Sequence, residues 1–239
     1  MTAASSGDGH PVVDRQAWID SRLEHLEAEK ALTRQRDELS AARRALPWLE
    51  VTNDYVFDTP DGQASLADLF AGRRQLLVYH FMMGPGWVEG CPSCSFWADN
   101  YEGTQVHLAH RNTSLVAVSR APLAEISAYK ERMGWAFSWV SSAGSTFNAD
   151  MGVSFDAAQL ESGEPNYNFG TQTFGGDEAP GISTFTVDDD GRVYLTYQTF
   201  SRGLDMVNGA YHMLDLTAAG RDEDGLDWSM QWLHRHDAY

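Results

Sequence analysis

Basic residues are scarce in this chain of 239 residues: 17 Lys and Arg stand against 34 Asp and Glu, a formal net charge of −17. Proteins grip nucleic acid through clustered cations that release counterions, so this balance excludes a nucleic-acid partner from the expectation. Anionic membrane surfaces repel the same field. Cysteine is scarcer still, with two residues, which excludes a disulfide framework of the secreted type. Long apolar runs are missing. The longest, LLVYHFMM at 76–83, has the length of a buried strand and falls far short of the roughly 20 residues that cross a bilayer. The opening MTAASSGDGHPVV has no basic segment leading into an apolar one, so no signal peptide is expected and the expected location is cytoplasmic. No internal repeat stands out.

What is present fits a globular protein: 43% hydrophobic and 12% aromatic residues, in a length that suits one large domain. Residues 1–13 are small and polar and read as a disordered lead. From 14 to 47 the chain is rich in Ala, Leu, Glu and Arg without Gly, and Pro47 closes a helix. Its apolar stripe (Ile19, Leu23, Leu26, then Leu32, Leu39, Leu46) is thin. It reads either as a solvated helix packed on the main domain or as a helix for homodimerisation.

Residues 48–239 read as the main domain. YVFD at 55–58 before a PDG turn predicts a hairpin, SLADLF a helical turn, and QLLVYHFM at 75–82 a central strand apolar on both faces. A helix with a weak point at Gly103 is expected after the glycine-rich GPGWVEG loop, then a buried strand at 113–120. Pro122 and Gly134 bracket another helix, and FSWVSS at 137–142 reads as a short edge strand. Residues 156–180 lack periodicity and read as a long insertion. ISTFTV-DDDG-RVYLTYQTF predicts a hairpin, with helical signals at 204–216 and 226–236. A βαβ half followed by two antiparallel strands suits a thioredoxin-like α/β fold, but a small doubly wound sheet would show the same alternation.

Cys91-Pro92-Ser93-Cys94 decides between them. It lies between a buried strand with its loop and a helix, so Cys91 falls at the N-cap and Pro92 at the first helical position, where a missing N–H costs nothing. Free N–H groups and the helix dipole then stabilise a Cys91 thiolate. That geometry points to thiol–disulfide exchange, with Cys91 as nucleophile and Cys94 as resolving thiol. Three alternatives compete. Cys91, Cys94, His107 and His110 spell C-x₂-C-x₁₂-H-x₂-H, near a structural zinc pattern but short in the last spacing. A peroxide-reducing thiol is the second, although the P-x-x-x-[ST]-x-x-C motif of peroxiredoxins is absent: Gly84 and Val88 stand in its Pro and Ser/Thr places. The third is a non-enzymatic binding module on the same fold.

The segments EKALTRQRDEL, RRALPW, SLADLF, QLLVYHFM, GCPSCSFWADN, SRAP, RMGW and FNAD resemble a bacterial thioredoxin-like family catalogued as domain of unknown function 899, over nearly the whole chain. The resemblance implies a thioredoxin fold with an N-terminal helical extension and C-terminal helical additions, and a dithiol–disulfide oxidoreductase. One departure from ordinary thioredoxins stands out. Their cis-proline precedes the first hairpin strand, where this chain has Ile182; the nearest proline is Pro180.

Other residues are candidates for support. Trp87, in the loop before the motif, suits a pocket wall. The central strand offers Tyr79 or His80 where thioredoxins keep a buried carboxylate, and His80 suits a general base. Arg120, at a strand's C-terminal end, suits an anionic group such as a glutathione carboxylate. The expected partners are a disulfide substrate, protein or small thiol, and an electron donor that the sequence leaves unspecified. No organic cofactor or metal is called for.

Overall fold

The computed structural model describes residues 4–5, 9–164 and 166–239, the first two by backbone alone. The chain forms two compact units, Met1–Pro47 and Trp48–Tyr239. Of the residues 1–13 read as a disordered lead, 1–3 and 6–8 lie outside the described residues; within the described ones, Ala4–Ser5 pairs antiparallel with Pro11–Val12. Among its described residues the first unit otherwise holds one helix, α1 (Arg15–Arg44). Asp14 caps it, its carboxylate accepting from Ala17 N at 2.9 Å, and Arg43 and Arg44 sit at the negative end of the dipole. No residue of α1 is buried, and its leucines at 23, 32 and 39 are exposed.

The second unit is built on a single sheet. Its strands in chain order are β1 (Leu49–Glu50), β2 (Val56–Thr59), β3 (Gly62–Ser65), β4 (Gln75–His80), β5 (Thr113–Ser119), β6 (Ser138–Ser141), β7 (Gly181–Val187) and β8 (Val193–Phe200). Across the sheet the order is β1-β8-β7-β4-β5-β6-β2-β3. β4 runs parallel to β5 from Gln75↔Thr113 to His80↔Val118, and β5 parallel to β6. β7 runs antiparallel to β4 and pairs with β8 across a bulge at Leu195/Tyr197. Parallel neighbours need crossovers, and the helices α2 (Pro92–Ala98), α3 (Gln105–His110) and α4 (Leu123–Arg132) supply them.

Alternation along β4 sends its side chains to two cores. Leu76 and Val78 join Phe57, Phe147 and Phe185 on one face, whereas Tyr79 joins Phe81, Trp97, Trp135 and Trp139 on the other. This second, aromatic core lies beneath α2 and fixes where the cysteines stand.

Four elements differ from the sequence expectations. The helix expected after the GPGWVEG loop is broken into α2 and α3 by turns at 99–104, where Gly103 takes φ +79°. FSWVSS is no edge: β2 joins the outer side of β6 through Asp58↔Ser141, and β3 lies beyond. Residues 156–180 are not structureless. A capping box between Asp156 and Gln159 starts a helix, α5 (Ala157–Ser162), and Tyr167 and Ala179 are buried in the first core. The helix expected at 226–236 is a series of turns, while the signal at 204–216 yields a 3₁₀ segment (Ser201–Val207) and α6 (Gly209–Leu214).

Candidate active site

α2 opens at the end of the loop that follows β4, and Cys91 occupies its N-cap with Pro92 behind it. Cys91 N donates to Met82 O at 3.1 Å and Ser95 N to Cys91 O at 2.9 Å, so the residue is held between strand end and helix start. Gly90 is required just before it. A Cβ there would stand 2.4 Å from Phe81 Cε1 and 2.8 Å from Tyr129 Cε1, so the aromatic core admits only glycine without movement. The freed Gly90 carbonyl accepts from Arg235 Nη2 at 2.7 Å, and Arg235 also pairs with Glu89 at 2.9 Å.

The two thiols are unlike. Both are free; Cys91 is half-buried and Cys94 is buried. Cys91 Sγ accepts from Cys94 N at 3.5 Å. The Cys94 thiol, the Cys94 and Ser93 backbone N–H groups and, from farther off, Arg235 together bring Cys91 down to about 7 against the opposing effect of burial. Burial, then the adjoining Cys91, pushes the Cys94 thiol well above its ordinary value. Beneath them, the buried Tyr79 hydroxyl donates to Cys94 O at 3.1 Å, and the Tyr79 ring meets Tyr101 edge-on at 5.0 Å.

Cys91, Ser93 and Cys94 open onto a cleft of about 730 Å³. Its walls come from the loop after β4 (Met82), α2 (Trp97), the 156–180 segment (Tyr167, Phe174, Pro180), the 3₁₀ segment (Leu204) and the C-terminal turns (Met230). Pro180 therefore lines the same cleft as the cysteines, but among the described residues no peptide bond is cis. Its carbonyl accepts from the Tyr167 hydroxyl at 2.5 Å.

Other sequence candidates lie elsewhere. His80 points into the opposite core by the alternation of β4, stacking near Phe147 and bonding Ser183 Oγ through Nε2 at 2.8 Å. Burial lowers its pKa to about 3 and leaves Nδ1 without a partner, so it is a neutral core histidine and no base for the thiols. Tyr79, one residue away, holds the place beneath them. Arg120 does not face the cleft: its guanidinium is taken by the buried Glu178 and by Asp177. Trp87 packs at the edge of the aromatic core, beside Gly84 and outside the cleft lining. His107 and His110 are exposed at the end of α3 while Cys94 is buried, and among the described residues no three potential ligands gather. The zinc alternative loses its geometry.

Arg235, Tyr167, Phe174, Leu204 and Met230 were not among the sequence candidates. Arg235 acts on a residue 145 positions away, and no local pattern announces such a contact. Phe174 and Tyr167 lie in a stretch without periodicity, where an aromatic residue looks like any other.

Parallel β4-β5-β6 with crossover helices, an antiparallel β7-β8 hairpin on the other side, and Cys-x-x-Cys at the start of α2 make this a thioredoxin-like α/β protein. A family model described as bacterial protein of unknown function (DUF899) matches residues 7–239, and the chain belongs to that family. No curated protein matches it. Solved structures similar to it include the peroxidoxin BcpB of Mycobacterium tuberculosis, at 16% identity over 66% of this chain and 90% of that one, with a TM-score of 0.44. Reduced Prx3 of Vibrio vulnificus in complex with H₂O₂ is similar at 14% identity over 65% and 88%, TM-score 0.43. A candidate protein disulfide isomerase of Bacteroides thetaiotaomicron is similar at 16% identity over 70% and 92%, TM-score 0.39. Among the described residues, no helix is long and apolar enough to cross a membrane.

Proposed function

We propose that the protein is a thiol–disulfide oxidoreductase in which Cys91 is the nucleophile and Cys94 the resolving thiol. The observation that carries this reading is the asymmetry of the pair: a half-buried thiol brought to about 7 at a helix N-cap, beside a buried thiol pushed upward. At neutral pH about half of Cys91 is thiolate, whereas an ordinary thiol is only a few per cent ionised.

The chemistry follows. Cys91 Sγ⁻ attacks one sulfur of the substrate disulfide, forming a mixed disulfide and releasing the other half as thiolate. Once Cys91 is bonded, its negative charge no longer raises the Cys94 pKa, and burial alone opposes ionisation. Cys94 then gives its proton to the departing thiolate and attacks Cys91 Sγ, which releases the second half. Two electrons pass from the dithiol to the substrate and Cys91–Cys94 becomes the disulfide. A donor dithiol restores the reduced pair by the reverse steps. The reaction needs no organic cofactor.

An equilibrium redox titration, with thiols trapped by alkylation and counted by mass, tests the proposal. The expected result is a reversible two-electron step with a midpoint in the range of about −120 to −270 mV spanned by known exchangers. If Cys91 and Cys94 never pair across the range, disulfide exchange is wrong. A Cys91 sulfenic acid formed with peroxide, without pairing, would place the protein with peroxide-reducing thiols. An unchanged cellular function in Cys91→Ser would leave only a binding module.

A further inference from the structure

The cleft in front of Cys91 is built for one kind of substrate. Resting on the oxidoreductase reading, we propose that the disulfide reduced or formed there belongs to a small, uncharged, apolar molecule rather than to glutathione or a protein strand.

Three observations carry this. The first is the wall. Met82, Trp97, Tyr167, Phe174, Leu204 and Met230 present thioether, aromatic and aliphatic surface around the thiols. A volume of about 730 Å³ is that of a small-molecule site, within the roughly 300–1,000 Å³ such clefts span. Two methionines make such a wall adaptable in shape.

The second is charge. Arg202 and Asp205 are the charged residues of the cleft lining, and they pair with each other at 2.7 Å. Asp205 also takes Arg221 at 3.1 Å, and Arg221 holds Asp215 at 2.8 Å, so two guanidiniums meet two carboxylates at this rim. Among the described residues lining the cleft, the one cation, Arg202, is already paired with Asp205, and Arg120 is engaged by Glu178 and Asp177. A chain of net charge −17 repels the carboxylates of glutathione disulfide as well.

The third is the backbone. An extended peptide binds beside a sheet by pairing with free N–H and C=O groups. At the cleft wall, Ala179 N already donates to Val153 O at 2.8 Å, Pro180 has no N–H, and its carbonyl is taken by Tyr167. At Ala179 and Pro180 the N–H and the Pro180 carbonyl that an extended strand would pair with are therefore already engaged or missing.

The step balances without a further reagent: the reduced dithiol gives two electrons to R–S–S–R, which leaves as two R–SH while Cys91 and Cys94 join.

The test is single-turnover oxidation of the reduced full-length protein by dibenzyl disulfide, bis(2-hydroxyethyl) disulfide and glutathione disulfide. Each rate is divided by that of free mercaptoethanol with the same reagent. Burying one aromatic ring predicts a normalised preference for dibenzyl disulfide of about tenfold or more over both others. Phe174→Ala is expected to lower that preference about tenfold. Phe174 also packs on Tyr167, ring centroids 5.1 Å apart, so Met230→Gln serves as a second variant that leaves that contact alone. Equal normalised rates, a lead for glutathione disulfide, or a preference untouched by both variants would overturn the assignment. If the redox titration shows a reversible Cys91–Cys94 pair while the preference is flat, only the substrate class is wrong. If the pair never forms, both readings fall.

Discussion

Replacing Cys94 by alanine separates two explanations of the Cys91 thiolate. The helix N-terminus would suffice on sequence grounds, but the structure puts the hydrogen bond from the Cys94 thiol first among the influences that lower Cys91 to about 7. A hydrogen bond to a charged group contributes about 1.5–3 kcal/mol. At about 1.36 kcal/mol per unit, its loss moves Cys91 up by about one to two units. The thiolate fraction at pH 7 then falls from about one half to between about 9% and 1%. A more basic thiolate is also a better nucleophile, and a Brønsted slope near 0.4–0.5 returns about threefold to eightfold. The net expectation for Cys94→Ala is a reaction rate about twofold to sixfold lower at pH 7 and about threefold to eightfold higher well above pH 9, so the two profiles cross. Iodoacetamide alkylation of Cys91 followed by mass across pH measures this directly. Cys94→Ser keeps an O–H donor and should stay near the parent profile. Coincident profiles for parent and Cys94→Ala would refute the reasoning and assign the low pKa to backbone N–H groups and Arg235.

Gly90→Ala drives a methyl into Phe81 and Tyr129; overpacking of this kind costs about 1–3 kcal/mol, read as a melting temperature lower by several degrees, and an unchanged Tm would show that the aromatic core yields. Glu178 is buried, and burial raises its carboxyl to about 7 against the pull of Arg120. Between its ordinary 4.5 and about 7 the unfolded chain releases this proton while the folded one keeps it, so this group makes stability fall as pH rises through that window, by up to about 3 kcal/mol. Glu178→Gln should remove that slope in denaturant melts from pH 4 to 8, and parallel curves for variant and parent would contradict it. A homodimer through α1 predicts twice the monomer mass for the full chain by light scattering and a monomer for a chain beginning at Trp48; equal association states for the two would end that reading.

Much of the site could be read in one dimension because its signals are local. Pro92 after Cys91 marks a helix start wherever the chain goes, since a proline without N–H is tolerated there and little further in. The Cys91/Cys94 spacing of one turn is a property of the helix itself. The alternation of Tyr79 and His80 on β4 was equally visible, but which face looks toward the thiols depends on the side of the sheet that α2 packs on. That is a tertiary fact, and it exchanged the roles of two adjacent residues. Arg120 shows the same limit: its position at a strand end was legible, and its carboxylate partners, 57 and 58 residues away, were not.

By itself the sequence determined the β4 and β5 strands with a helix between them, the β7-β8 hairpin, the long N-terminal helix and the Cys91/Cys94 pair at a helix start, because period, propensity and capping act over a few residues. Only the tertiary structure decided what the pair faces. The walls of the cleft come from segments around residues 82, 97, 167–180, 204 and 230, three of them in irregular chain with no repeating pattern to read. The low charge of that cleft rests on Arg202, Asp205, Arg221 and Asp215 meeting in space. Burial and charge at a site are sums over neighbours that the fold, not the chain order, brings together.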